Sequence, residues 1–356
     1  MKKKVIFDFV RYCINDDRPL PESAQTIDWT IMMLWAQTQG ITGVVYRGIE
    51  KSGNALNIPL KQLMKWMACA RTLQKQNILL DKQCVEIVSK FQNDGFETCI
   101  LKGQGNAAFF PNPLLRTTGD IDMLVTNRSQ REVIKYVKAH NPEGEAAYHH
   151  IDWGVYNGFD VEVHYRAAFF FNPVSNRRLQ KWLKTHLDVC QQVLPENIGS
   201  IPVPNWEYNV IFQLAHIYNH ILHQGIGLKQ IIDYYYLLKS NERGQTGIDP
   251  QLLRYLGMEK VAEAMMWVMH KVLGLPEQYL IAPLDEKRGK RIMRDIMKGG
   301  CFGVSDKETY HADNQFKQNV LRFKRDWRML RYFPSECLWE PVFRGSHFLW
   351  RLANNH

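Results

Sequence analysis

LKGQGNAAFFPNPLLRTTGDIDMLV, residues Leu101 to Val125, closes one apolar strand on Lys102-Gly103 and opens a second on Asp120-Ile121-Asp122. Residues i and i+2 of a strand share a face and stand roughly 6 to 7 Å apart, so Asp120 and Asp122 project together while Ile121 turns to the core. Two such carboxylates repel each other unless a cation lies between them. Hard oxygen donors in a small cluster suit Mg²⁺ or Mn²⁺ better than Zn²⁺, and Mg²⁺ commonly completes its shell with waters and substrate phosphates. The stretch therefore points to metal-assisted phosphoryl or nucleotidyl transfer.

Upstream, FETCI reads as the short buried strand that delivers Lys102, and KQLMKWMACARTLQKQNILLDKQCVEIVSKFQNDG reads as a long amphipathic helix stopping at Gly95. Downstream come a capped helix, SQREVIKYVKAHNP, and then HHIDWGVYNGFDVEVHYR, two alternating strands joined at Asn157-Gly158. Asn-Gly between alternating strands is the strongest short-range hairpin signal. Along Phe159 to Tyr165, Val161 and Val163 face one way while Asp160, Glu162 and His164 face the other. Glu162 supplies a third acid. Set beside the Asp120–Asp122 strand, it would complete a site for two metal ions roughly 4 Å apart. His149 and His150 open the first hairpin strand and point to the same cleft.

With these residues in view, the chain resembles the DNA polymerase beta-like nucleotidyltransferase superfamily. It is most similar to the bacterial family of uncharacterised nucleotidyltransferases, through Lys102-Gly103, Arg116, Gly119 to Val125 and Glu162-Val163-His164. The resemblance covers about residues 75 to 300. One departure is Gly103-Gln104, where the superfamily follows the glycine with Gly or Ser, although Gly105 comes next. The resemblance implies Mg²⁺- or Mn²⁺-dependent transfer of a nucleoside monophosphate from an NTP to an acceptor hydroxyl, with release of pyrophosphate. It implies Asp120, Asp122 and Glu162 as metal ligands and catalytic acids, Glu162 also helping to deprotonate the acceptor. Lys102 and Arg116 become candidates for the triphosphate, with Gly103 and Gly119 in the nucleotide site.

The expected fold class is α+β, a small mixed-sheet nucleotidyltransferase core flanked by N-terminal and C-terminal helical segments. Residues 1–80 read as helical, with an Asp28 cap and a Gly40 stop; residues 81–175 hold the catalytic core. Residues 176–356 return to helical periodicity in QKWLKTHLDVC, WEYNVIFQLAHIYNHILHQ, LKQIIDYYYLLKS and VAEAMMWVMHKVLG. An apolar share of 45% supports real cores, yet no stretch approaches the roughly 20 residues of a membrane span. Asp8 interrupts MKKKVIFDFV before a secretory segment forms, so the expected location is the cytoplasm. Seven scattered cysteines without a C-x-x-C pair indicate neither a disulfide framework nor a thiolate zinc site.

The net charge of +9 concentrates between Asp285 and Arg331, where 13 Lys/Arg face 7 Asp/Glu. Such a run reads first as a solvated helix face, and no nucleic-acid-binding signature accompanies it. Two rival functions remain. One is a non-catalytic nucleotide- or partner-binding protein of the same fold. The other is a zinc-dependent hydrolase built on His216, His220 and His223, which share a helical stripe, although the sequence lacks a Glu in the H-E-x-x-H position. His164, His216, His220 and Asp233 are expected to line the cleft or to form a packed polar cluster. The acceptor itself is not readable from the sequence.

Overall fold

The computed structural model describes residues 2–223, 225–241, 247–300 and 315–354. Four helices come first: α1 (Lys3–Ile14), α2 (Trp29–Thr38), α3 (Thr42–Ser52) and α4 (Leu60–Asn93). The central unit follows as β1 (Thr98–Ile100), α5 (Gln104–Ala107), β2 (Ile121–Val125), α6 (Gln130–His140), β3 (His150–Tyr156) and β4 (Phe159–His164). Then come α7 (Pro173–His186), β5 (Val189–Val193), β6 (Ser200–Pro204), α8 (Trp206–His223), α9 (Leu228–Lys239), α10 (Pro250–Leu256), α11 (Glu259–Trp267) and α12 (Glu286–Gly299). Helices Gln315–Leu330 and Pro334–Asn354 complete the described chain, and the class is α+β as the sequence pattern predicts.

Local chemistry explains the boundaries. Asp28 caps α2 by accepting from the N–H groups of Thr30 and Ile31. Ser129 and Glu132 form a reciprocal capping box at the start of α6. Asn157 (φ 48°) and Gly158 (φ 98°) both take the left-handed backbone of a two-residue hairpin turn, the conformation for which Asn-Gly is favoured.

The main sheet has the order β1-β2-β4-β3. β2 is antiparallel to β1 and parallel to β4, and the register sets Asp122 directly opposite Glu162. One face of the sheet carries Ile100, Ile121, Met123, Val125, Val161 and Val163, which pack with Leu80, Cys84, Ile87, Val88 and Phe91 of α4 and with Val133 and Val137 of α6. The opposite face carries Cys99, Leu101 and Leu124, which join the larger core of the flanking helices. By the period of two, Asp122, Glu162 and His164 lie on this second face. A register slip of one residue would turn the acids into the first core, so burial of the valines fixes where the acids point.

The N-terminal helices and the sheet are not separated by a linker. Helix α4 runs unbroken through residues 80 and 81, where a boundary was expected, and its length of about 51 Å ties both cores together. One correction concerns QKWLKTHLDVC, which reads as helix to Cys190. Helix α7 stops at His186, and Val189 to Val193 pair with Ser200 to Pro204 as an antiparallel ribbon. That ribbon adds a strand pair to the segment expected to be helical throughout. Val203 and Ile201 fill the sheet's helix-covered core. In VAEAMMWVMHKVLG, a π-helical turn over Val268–Val272 follows α11.

Within the basic run, Arg288 pairs with Asp285, Lys290 with Glu286 and Arg291 with Asp295, consistent with a solvated, self-compensated helix face. Residues 301–314 of that run, with Cys301, lie outside the described residues. The six other cysteines are free thiols, four of them buried. Among the described residues, no helix is long and apolar enough to cross a membrane.

Candidate active site

The sheet's second face, α8 and α9 enclose a cleft of about 900 Å³ counted to its open mouth. Asp122 lies at its floor, 3% exposed, and receives two cationic contacts: Lys102 Nζ at 2.9 Å and His164 Nε2 at 3.0 Å, both on Oδ1. His164 Nε2 also stands 3.2 Å from Glu162 Oε2. Asp122, Glu162 and His164 therefore each offer a ligand atom within 4.8 Å of the others. Asp120 lines the mouth of the same cleft and is exposed. The structure thus brings together the three acids and the Lys-Gly named from the sequence, and adds His164 to the centre of the group.

Charge explains how the carboxylates stay so close. Burial opposes ionisation of Asp122, but Lys102 and the His164 hydrogen bond overcome it and hold the carboxyl well below its usual range. Burial also works against a charged His164, yet its hydrogen bonds to Asp122 and Glu162 push the ring up to about 9. Lys102 is likewise raised against the cost of burial, chiefly by Asp122 and Asp120. Glu162 is lowered, the His164 hydrogen bond outweighing burial. Asp120 moves the other way, raised first by the neighbouring charge of Asp122. One protonated imidazole and one ammonium hold together a cluster of acids that would otherwise repel.

Four other histidines of the cleft are held toward the neutral form. Burial lowers His149 and His216 well below the usual imidazole range and brings His150 and His220 to about 4. His150 Nδ1 stands 3.1 Å from Glu162 Oε2 and 3.1 Å from His149 Nε2. On α8, Lys102 Nζ reaches His216 Nε2 at 3.3 Å, and His220 Nε2 lies 2.9 Å from that same nitrogen. An ammonium only donates, so His216 Nε2 is the acceptor, its single lone pair open to Lys102 or to an N–H of His220. His216 and His220 are thereby turned toward Lys102 and each other. Among the described residues they belong to no group of three metal-ligating atoms. The His223 side chain of the zinc reading lies outside the described residues.

Arg116 and Asp233 both line the cleft and are fully engaged with each other, Nε to Oδ1 at 2.9 Å and Nη2 to Oδ2 at 2.8 Å. Asn77 of α4 donates to the carbonyls of Leu114 and Arg116, each at 2.8 Å, and anchors that loop. Lys229 Nζ donates to Thr118 O at 2.9 Å, and a Cβ on Gly119 would come within 2.9 Å of that ammonium. Gly103 takes a positive φ of 57° where the chain turns from β1 into α5, a conformation costly for any side chain.

Lys229, Asn106, Gln213 and Gln230 also line the cleft, and no sequence motif points to them. Asn106 Oδ1 accepts from Gln213 Nε2 at 2.9 Å and Asn209 Nδ2 at 3.3 Å. Its own Nδ2 is buried without a partner among the described residues. Polar residues repeating inside α8 at Asn209, Gln213 and His216 were the available signal.

The chain matches no curated protein. Among solved structures, it is similar to the crystal structure of an antigenic nucleotidyltransferase-like protein from Paracoccidioides brasiliensis, at 12% identity and a TM-score of 0.35 over 58% of this chain and 95% of that one. The model of a protein family described as uncharacterised nucleotidyltransferase matches residues 25–274. That span takes in α4, the whole acid cluster, α8 and α9, and the chain belongs to this family.

Proposed function

We propose that the protein transfers a nucleoside monophosphate from an NTP to an acceptor hydroxyl with release of pyrophosphate, dependent on Mg²⁺ or Mn²⁺. The observation that carries this reading is the parallel pairing of β2 with β4, which sets Asp122 opposite Glu162 beneath Asp120 at the mouth of one cleft. The donor set fits a hard divalent cation because the carboxylates of Asp120, Asp122 and Glu162 line one cleft, and a bound cation would take over from Lys102 and His164 the compensation of their charge. Asp120, Asp122 and Glu162 would hold the metal, which when bound neutralises phosphate charge and acidifies the acceptor hydroxyl.

The chain's own residues supply the rest. Lys102 sets a fixed cation beside Asp122, and Lys229 sets a second where the loop of Thr118 and Gly119 borders the cleft. Cations fixed in a secluded site stabilise developing phosphate charge without reorganising. The unpaired Nδ2 of Asn106 offers a donor to the nucleotide. Arg116, locked to Asp233, holds the loop that leads to Asp120 and leaves direct phosphate contact to the lysines. Glu162, at the edge of the cluster and half-buried, is the acid placed to take the acceptor's proton.

Wild-type protein mixed with each NTP and Mg²⁺ should gain thermal stability and release pyrophosphate in the presence of an acceptor. In Asp120→Ala/Asp122→Ala, turnover should fall by about 10³ or more, on the order of 4 kcal/mol of barrier. Unchanged metal–NTP binding and pyrophosphate release in that variant would remove the assignment. Metal–NTP stabilisation without turnover on any acceptor would favour the non-catalytic binding protein.

A further inference from the structure

A second cavity, about 990 Å³ counted to its mouth, adjoins the acid cleft and shares His149, His216 and His220 with it as a common wall. Its other lining is of a different kind. Phe169 and Phe343 lie nearly parallel, 16° apart with ring centroids at 5.2 Å. Tyr148 meets them edge-on at 5.2 and 5.0 Å, and His347 stacks on Phe343. Among these rings stand polar atoms with nothing to bond. Asn219 donates Nδ2 to Phe169 O at 2.8 Å, while its Oδ1 is buried and unpartnered among the described residues, as are His149 Nδ1 and His347 Nε2.

Aromatic walls hold flat or ring-shaped molecules by stacking and dispersion. Buried polar atoms at the edge of such a wall call for hydrogen bonds that a ligand supplies. An open-chain alcohol meets the second requirement but not the first, and a plain hydrocarbon only the first.

We propose that this cavity is the acceptor subsite and that the acceptor is a ring-bearing alcohol. Its face packs on Tyr148, Phe169 and Phe343, and a ring hydroxyl sits at the His149–His220 wall facing the acid cleft. The inference rests on the transfer reaction proposed above. In that step the acceptor oxygen bonds to the α-phosphorus while the bond from that phosphorus to the α–β bridging oxygen breaks. The electron pair leaves with pyrophosphate, and the hydroxyl proton passes to Glu162 and then to water.

Saturation-transfer NMR on the full chain tests the site without requiring turnover. The probes are methyl β-glucoside and myo-inositol as saturated rings, 4-hydroxybenzyl alcohol as an aromatic ring, and sorbitol and glycerol as open chains. Ring probes should receive saturation about fivefold or more above open-chain ones, and whichever ring arm is stronger identifies its source. Phe343→Ala and His347→Ala should each cut the ring signal about threefold or more. Metal–NTP binding, read separately by thermal shift, should survive in both variants and certify that they fold. Equal saturation of rings and open chains, no ring signal at all, or an undiminished signal in both variants would overturn the proposal. No metal–NTP binding by the wild-type chain, with ring binding intact, would instead overturn the transfer reading alone.

Discussion

Arg116 closes on Asp233 through two parallel contacts of 2.9 and 2.8 Å, whereas Lys102 reaches Asp122 through one contact of 2.9 Å and leans on His216 as well. Both pairs border the same cleft, and both join a cation to an acid in the interior. The guanidinium fork and the carboxylate satisfy each other, at 4% and 6% side-chain exposure. The ammonium is 18% exposed and its acid is shared with His164, so either partner can be exchanged without leaving a bare charge. A closed bidentate pair is suited to holding a loop, and an open, shared one to meeting a substrate.

The contrast can be broken most forcefully at Arg116. Arg116→Met strands the buried Asp233 carboxylate and should destabilise the fold by about 3 to 5 kcal/mol in a denaturant titration. A normal midpoint combined with a raised NTP KM would make Arg116 a phosphate ligand after all. Lys102→Met should show the opposite pattern. Asp122 keeps His164, so stability should change little, while kcat should fall by about 10², roughly 2.7 kcal/mol of barrier. A large loss of stability with normal turnover would erase the distinction between the two pairs.

A third buried acid, Glu336 on helix Pro334–Asn354, sharpens the comparison because its partners among the described residues are backbone N–H groups. It accepts from the Phe171 N–H at 2.6 Å and the Asn172 N–H at 3.4 Å, and burial pushes it up to about 7 from an ordinary 4.5. The native protein then keeps a proton that the unfolded chain gives up. Stability is highest below about pH 4.5 as far as this group is concerned, and on the order of 3 kcal/mol is lost as pH rises to about 7 and beyond. Glu336→Gln should flatten that part of the profile, seen in melting temperatures from pH 5 to 8. An unaltered slope would mean that another group titrates there.

The sheet and its acids were legible because strand alternation is a local signal. Asp120-Ile121-Asp122, the Asn157-Gly158 turn and Glu162 each declare a face or a reversal within a few residues, and core burial of the intervening valines enforces it. What escaped was set by distance along the chain or by weak local pattern. His216 was expected at the cleft, but nothing near Lys102 announces their contact, and nothing near Thr118 announces Lys229, because those contacts exist only once α8 and α9 dock on the sheet. The β5–β6 ribbon was hidden by its composition: Val189-Cys-Gln-Gln-Val193 alternates poorly and its partner strand contains Pro202 and Pro204. Such prolines demote a strand reading, and an edge ribbon tolerates them. The Arg116–Asp233 pair was hidden for a related reason, since the carboxylate that engages Arg116 arrives from α9.

The register that pairs Asp122 with Glu162 also fixes an order of assembly. During synthesis Lys102, Asp120 and Asp122 emerge first, while Glu162 and His164 follow only after α6 and β3 have been made. A nascent chain ending before β4 holds two acids and one ammonium on a strand with one free edge, and no compact cluster. Insertion of β4 between β2 and β3 is therefore the event that creates the ligand set, and docking of α8 and α9 then roofs it. An arrested ribosome complex released just before residue 159 should yield a fragment with an unsatisfied sheet edge. One six-residue strand, β4, thus joins β2 to β3 and brings Glu162 and His164 to the cluster.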